Sequence, residues 1–198
     1  MVWDFFNEIG RKIIHITILI VLIIYNVIQN NYGKQLALLF LVSLLIIFLI
    51  LEYFRLELGW KMPFFSQFIR PKEQNRMYGV IYYLSATIIS LAVFDYKIAL
   101  AALLMTAFGD MVAALVGKRY GTTLIYRNKT WAGFLAELIV NIFVGFFVLV
   151  NLPGYIYIVL GMAFVATIVE TIVDELDDNL LIPIFAGFAG QVILFSLL

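Results

Sequence analysis

Apolar residues in this chain come in long runs instead of alternating with polar ones. Seven stretches are almost wholly apolar: Ile13–Ile28, Leu36–Phe54, Tyr78–Phe94, Ile98–Val116, Trp131–Val150, Tyr155–Val173 and Leu180–Leu198. Each approaches the length a helix needs to cross a bilayer, roughly 17–25 residues. The pattern predicts an all-α integral membrane protein, a bundle of about seven transmembrane helices. Short links join helices 1 and 2 (Gln29–Gln35), 3 and 4 (Asp95–Lys97), and 5 and 6 (Asn151–Gly154). No linker is long enough to separate two domains, so residues 1–198 read as one. Gly59–Asn75 is too polar to span. There Trp60, Met62, Phe64, Phe65, Phe68 and Ile69 are interspersed with Lys61, Gln67 and Arg70, which predicts a short amphipathic piece lying in the interface.

Composition sharpens the picture. Of the 198 residues, 64% are hydrophobic and 13% charged, where soluble domains have about a quarter charged. The chain has no cysteine and a single histidine, His15. Disulfides, thiolate chemistry and multi-histidine metal centres are therefore excluded. Arg11 and Lys12 precede the first apolar stretch, but no small-residue cleavage site follows, so that stretch is expected to stay as an anchor. The charges sum to zero but are unevenly placed. With the N-terminus inside, eleven of the thirteen basic residues fall on inner segments, and only Lys34 and Lys97 lie outside. That bias predicts a cytoplasmic N-terminus.

Ionisable residues in or beside membrane helices are costly, so they point to function. Asp110 stands in an otherwise apolar helix. Gly109, Ala113, Ala114 and Gly117 around it permit close approach of a helix or a ligand. Lys118 and Arg119 follow at the helix end, and Gly121 is expected to permit a turn. A carboxylate facing basic residues can hold a divalent cation and a polyphosphate together. The alternative is an ion pair that only locks helices.

A second patch runs from Arg127 to Glu137. Lys129 and Thr130 lie at the start of the fifth helix, where free N–H groups and the helix dipole suit phosphate. The plainer reading is a basic flank with Thr130 as N-cap. The third patch, Glu170–Asn179, holds five carboxylates and no basic residue. Glu170 and Asp174 share a helix face, with Asp177 or Asp178 a turn further on. Such repulsion calls for a cation, and oxygen ligands alone point to Mg²⁺. A solvated acidic loop is the alternative. Lys12, His15, Glu52, Arg70 and Arg76 are lesser candidates, Glu52 most simply as the i, i+3 partner of Arg55.

Acidic and basic groups on the cytoplasmic side of an apolar bundle suit a water-soluble phosphorylated substrate meeting a lipid. A lipid hydroxyl needs a carboxylate to accept or orient its proton, and Asp110 and Asp178 are the candidates. Gly133, Ala136 and Gly145 leave room for a lipid tail or serve helix packing. A transporter would line a path through the midplane with its charges, whereas here they cluster at one end.

Six segments carry a family resemblance: RKIIH (Arg11–His15), LEYFR (Leu51–Arg55), RPKEQNRMYGVIYY (Arg70–Tyr83), GDMVAALVGKRYG (Gly109–Gly121), KTWAGFLAE (Lys129–Glu137) and ETIVDELDDNLLIP (Glu170–Pro183). In order and spacing the chain resembles the dolichol kinase and phytol kinase family of CTP-dependent membrane lipid kinases, which includes fungal CTP-dependent diacylglycerol kinase. The resemblance implies transfer of the γ-phosphate of CTP to a membrane alcohol with Mg²⁺ or a similar cation. It carries over Asp110, Lys118, Lys129, Glu170, Asp174, Asp178 and Asn179 as nucleotide, metal or catalytic positions. Arg119 and Thr130 join the nucleotide-binding candidates from their patches. The expected acceptor is an isoprenoid such as dolichol, phytol or geranylgeraniol, with diacylglycerol as the alternative. The longer N-terminal region of the eukaryotic dolichol kinases is absent, and the compact form is closer to phytol-kinase-like and prokaryotic members. A CTP:lipid-phosphate cytidylyltransferase is the enzymatic rival. Expected partners are CTP, a lipid alcohol and the bilayer, with no nucleic acid; a homo-oligomer is left open.

Overall fold

The structure, a computed structural model, describes residues 18–59, 77–173 and 177–198. Lys12, His15, Arg70, Arg76 and Asp174, and the amphipathic piece from Trp60 onward, lie outside the described residues. The described residues form α1 (Ile18–Tyr32), α2 (Lys34–Glu57), α3 (Gly79–Val93), α4 (Tyr96–Tyr120), α5 (Trp131–Leu149), α6 (Tyr155–Ile172) and α7 (Asp178–Ser196). Five of them, α2 and α4 to α7, are long and apolar enough to cross a membrane, while α1 and α3 are shorter. Among the described residues the protein is an all-α membrane protein but for one small hairpin. That hairpin, β1 (Leu124–Tyr126) with β2 (Lys129–Thr130), is not anticipated from the sequence. It is too short for periodicity to register.

The chain divides into two compact units, Met1–Ile88 and Ile89–Leu198. In the first, α1 and α2 are separated by Gly33 alone, at φ 92, a conformation that glycine adopts without penalty. The predicted seven-residue link is thus mostly helix, because Asn30 and Asn31 satisfy their side chains within α1, on Asn26 and on the Val27 carbonyl. Glu52, as its spacing suggests, pairs with Arg55: Nε and Nη2 donate to the two carboxylate oxygens at 2.8 and 2.6 Å.

In the second unit, α5 turns back along α4, α6 packs on α5, and α7 closes against α6 and α4. Every fourth residue of α5 is buried: Gly133, Glu137, Asn141, Gly145 and Leu149. This stripe meets small residues of α4. A Cβ on Gly133 would stand 2.9 Å from the Ala113 carbonyl oxygen, and one on Gly117 would stand 3.1 Å from Thr130 Oγ1. Backbones that approach this closely supply the dispersion contacts that hold helices together in lipid. Gly133 and Gly145 are therefore filled by neighbours, Gly145 by Met105 and Val159, and leave no gap for a tail. Gly121 is likewise a packing glycine. Its φ of −75 suits any residue, but a Cβ there would meet Thr130 Oγ1 at 2.5 Å. Large side chains such as Phe143, Phe147, Phe164, Phe188 and Phe195 point outward and are exposed, as a lipid-facing surface requires.

Candidate functional site

The ends of α4, α5, α6 and α7 that bear the ionisable residues meet at one end of the second unit. The hairpin links α4 to α5. Gly121 N–H donates back to the Gly117 carbonyl, and Trp131 N–H donates to Thr123. Thr130 caps α5, its Oγ1 accepting from Gly133 N–H at 3.2 Å, as its place before the apolar run suggests. This fixes the preceding residue, Lys129, over α6. Its Nζ lies 2.5 Å from each carboxylate oxygen of Glu170. Glu170 is buried, at 4% exposure, while Lys129 is 38% exposed. Burial pulls the Lys129 ammonium down, but the charge of Glu170, joined by Asp178 and Asp110, outweighs it and holds the pKa above the usual lysine value.

Asp110 of α4, Glu170 of α6 and Asp178 of α7 each offer a carboxylate oxygen, and the three oxygens lie within 4.8 Å of one another. Three helices thus converge on one point, the α4 residue lying far in sequence from the other two. The Asp177 Oδ1 accepts from the N–H and the side-chain amide of Asn179 at 3.0 and 2.7 Å, capping α7. The same N–H lies 2.9 Å from Asp178 Oδ1. Asn179 is buried, which anchors the start of α7 and so the position of Asp178. Hard oxygen donors with no nitrogen or sulfur among them suit Mg²⁺ or a similar cation. A positive group already rests on one of them, the ammonium of Lys129. The donor set therefore fits a divalent ion. Lys118 and Arg119 sit exposed at the end of α4, about 12 Å along the helix beyond Asp110 at 1.5 Å per residue. Glu52 lies in the other unit, in its pair with Arg55.

Glu137, beside the candidate site, does not stand out from the sequence alone. It is 2% exposed on the α5 stripe, beside Gly109 and hence next to Asp110. Its Oε1 accepts from Asn141 Nδ2 at 3.5 Å, and the same amide donates to Thr167 Oγ1 at 3.1 Å. Glu137, Asn141 and Thr167 form a polar floor joining α5 to α6 beneath the three carboxylates. The signal was a carboxylate within an apolar helix.

No family model and no solved structure matches the chain. Among curated proteins it is 31% identical over 167 residues to CTP-dependent diacylglycerol kinase 1 of Saccharomyces cerevisiae, a match covering 77% of this chain and 54% of that protein. It is 30% identical over 138 residues to the chloroplastic phytol kinase 1 of Arabidopsis thaliana, covering 61% of this chain and 45% of that one. The chain spans about half the length of these two kinases. Over 92% of both lengths it is 31% identical to an uncharacterised protein of Methanocaldococcus jannaschii.

Proposed function

We propose that this chain, which belongs to the family of the CTP-dependent diacylglycerol kinases and phytol kinases, transfers the γ-phosphate of CTP to the hydroxyl of a membrane lipid. The observation that carries the reading is the convergence of Asp110, Glu170 and Asp178 beside Lys129, at the end of an apolar bundle. Phosphoryl transfer needs little from a protein beyond positioning and charge, and this site offers both.

Asp110, Glu170 and Asp178 would hold Mg²⁺, which when bound neutralises phosphate charge. Lys129, Lys118 and Arg119 receive the phosphates, and Thr130 and Asn179 shape the mouth of the site. The lipid hydroxyl comes from the bilayer side, and Asp110 or Asp178 accepts or orients its proton. Atoms balance simply: the hydroxyl oxygen bonds to the γ-phosphorus, the β–γ bridging bond breaks, and CDP and one proton leave. The site faces the cytoplasm, where CTP is found, in keeping with the basic bias of the inner segments. The acceptor is a long-chain alcohol, an isoprenoid such as phytol, geranylgeraniol or dolichol, with diacylglycerol as the second reading because relatives named for both substrates match this chain.

Purified protein incubated with γ-labelled CTP, ATP, GTP or UTP and a panel of lipid alcohols tests the reading. Label in a lipid phosphate, with CTP preferred, is expected. With a lipid phosphate added to the panel, an unlabelled CDP-lipid with the label released as pyrophosphate would make the protein a cytidylyltransferase, and transfer of label to diacylglycerol alone would replace the isoprenoid.

A further inference from the structure

We infer that Lys129 selects the metal–nucleotide complex over the free metal ion. The inference rests on the kinase reading and goes beyond it by assigning a discriminating role to one residue. The Lys129 ammonium is bound to both oxygens of Glu170. Glu170 is one of the three carboxylates that converge, so the ammonium and a divalent ion compete for the same oxygens. Asp178 and Asp110 add to its attraction, and the buried Glu137 adds a further carboxylate to the surroundings.

A free divalent ion that takes Glu170 must displace the ammonium. Lys129 would then keep a part-buried charge with no bonded counter-ion, which is costly. An ion that arrives with a polyphosphate brings the replacement anion. The ammonium moves from carboxylate to phosphate, and Glu170 becomes available to the ion in the same event. Lys129 is 38% exposed and sits on a two-stranded hairpin, while Glu170 is 4% exposed on a long helix. The lysine is therefore the partner able to move. Metal and nucleotide then bind cooperatively, and by linkage each strengthens the other by the same factor.

The test uses the full chain in detergent. Free Mn²⁺ binding is followed by the loss of its solution electron-spin signal, and CTP binding by equilibrium dialysis at saturating Mg²⁺. Lys129→Gln removes the tethered competitor. It should bind free Mn²⁺ at least about fivefold more tightly than the wild type, while its CTP affinity falls at least about tenfold, opposite changes of about 1 and 1.4 kcal/mol. Lys129→Arg keeps a cation on Glu170 and should bind free Mn²⁺ no more tightly than the wild type, which gives an independent sign should Lys129→Gln fail to fold. Unchanged or weaker Mn²⁺ binding by Lys129→Gln, or tighter binding by Lys129→Arg, overturns the selection while the kinase reading stands. Absence of CTP binding by the wild type overturns the kinase reading, and the selection with it.

Discussion

The side-chain oxygen of Asn141 lies 2.5 Å from where a Cβ on Gly109 would stand. Asn141 is fully buried and its amide is committed to Glu137 and Thr167, so it cannot swing away. Gly109 is therefore the point at which α4 rests on the polar floor of the site, one residue before Asp110. Gly109→Ala should destabilise the protein by about 1–3 kcal/mol, the usual cost of overpacking, and misplace Asp110. Gly161 is the control. A Cβ there meets only the tip of Ile193, which can rotate, so Gly161→Ala should be neutral or gain a few tenths of a kcal/mol from helix propensity. Thermal unfolding in one detergent compares the two, and equal losses would show that the floor is not rigid.

The bundle is largely legible in the sequence because spanning helices announce themselves by length and apolarity. Trp131–Val150 is predicted and Trp131–Leu149 found; Tyr155–Val173 is predicted and Tyr155–Ile172 found. The Thr130 cap and the Glu52–Arg55 pair are legible too, since both are local. What escapes is set by long-range packing. The glycines of α5 read equally as a gap or a seam, and only the position of α4 settles it. The Lys129–Glu170 contact joins residues 41 positions apart in sequence, and no local pattern encodes that meeting. Glu137 escapes because its significance depends on Gly109 and Thr167, which lie on other helices.

Glu52 joins two stretches of the first unit. Besides Arg55 it accepts from the N–H of Tyr78 at 3.0 Å, and the Arg55 guanidinium lies 4.1 Å from the Tyr78 ring centroid. Glu52 is 4% exposed, so removing its carboxylate breaks buried bonds to both Arg55 and the Tyr78 N–H. Glu52→Ala should cost on the order of 3 kcal/mol, as broken buried pairs do, and should speed amide exchange at the start of α3. Melting within about one degree of the wild type would refute a structural role for the pair, since such a loss shifts a domain's midpoint by several degrees.

Asp110→Asn and Asp178→Asn each keep the shape of the side chain and remove one negative donor. If these oxygens hold the ion, each variant should lose at least about a hundredfold in phosphoryl transfer, equivalent to about 2.7 kcal/mol. The Mg²⁺ concentration for half-maximal rate should rise as well. Titrating Mg²⁺ at saturating CTP separates the two effects. Near-normal rates with an unchanged Mg²⁺ requirement in both variants would place the metal elsewhere.

Glu137 tests whether the floor serves stability or chemistry. Among the described residues it makes no ion pair, and its one hydrogen bond, from Asn141, is long at 3.5 Å. A carboxylate buried so poorly compensated is unfavourable for folding. Glu137→Gln keeps the shape and an oxygen able to accept from Asn141, and it removes the ionisable carboxyl group. If folding were the reason for Glu137, the variant would be less stable. The expected result is the reverse: equal or higher stability by about 1 kcal/mol, together with weaker Mn²⁺ binding, because a cation held by Asp110 and Glu170 favours the ionised form of Glu137 beneath them, and glutamine cannot ionise. That pairing of gained stability with lost function is the usual mark of a functional buried charge. The effect on Mn²⁺ should be smaller than for Asp110→Asn, since Glu137 stands behind the converging oxygens and not among them. Thermal unfolding and Mn²⁺ titration of the same preparation decide the matter. A clear loss of stability with Mn²⁺ affinity untouched would make Glu137 a structural residue.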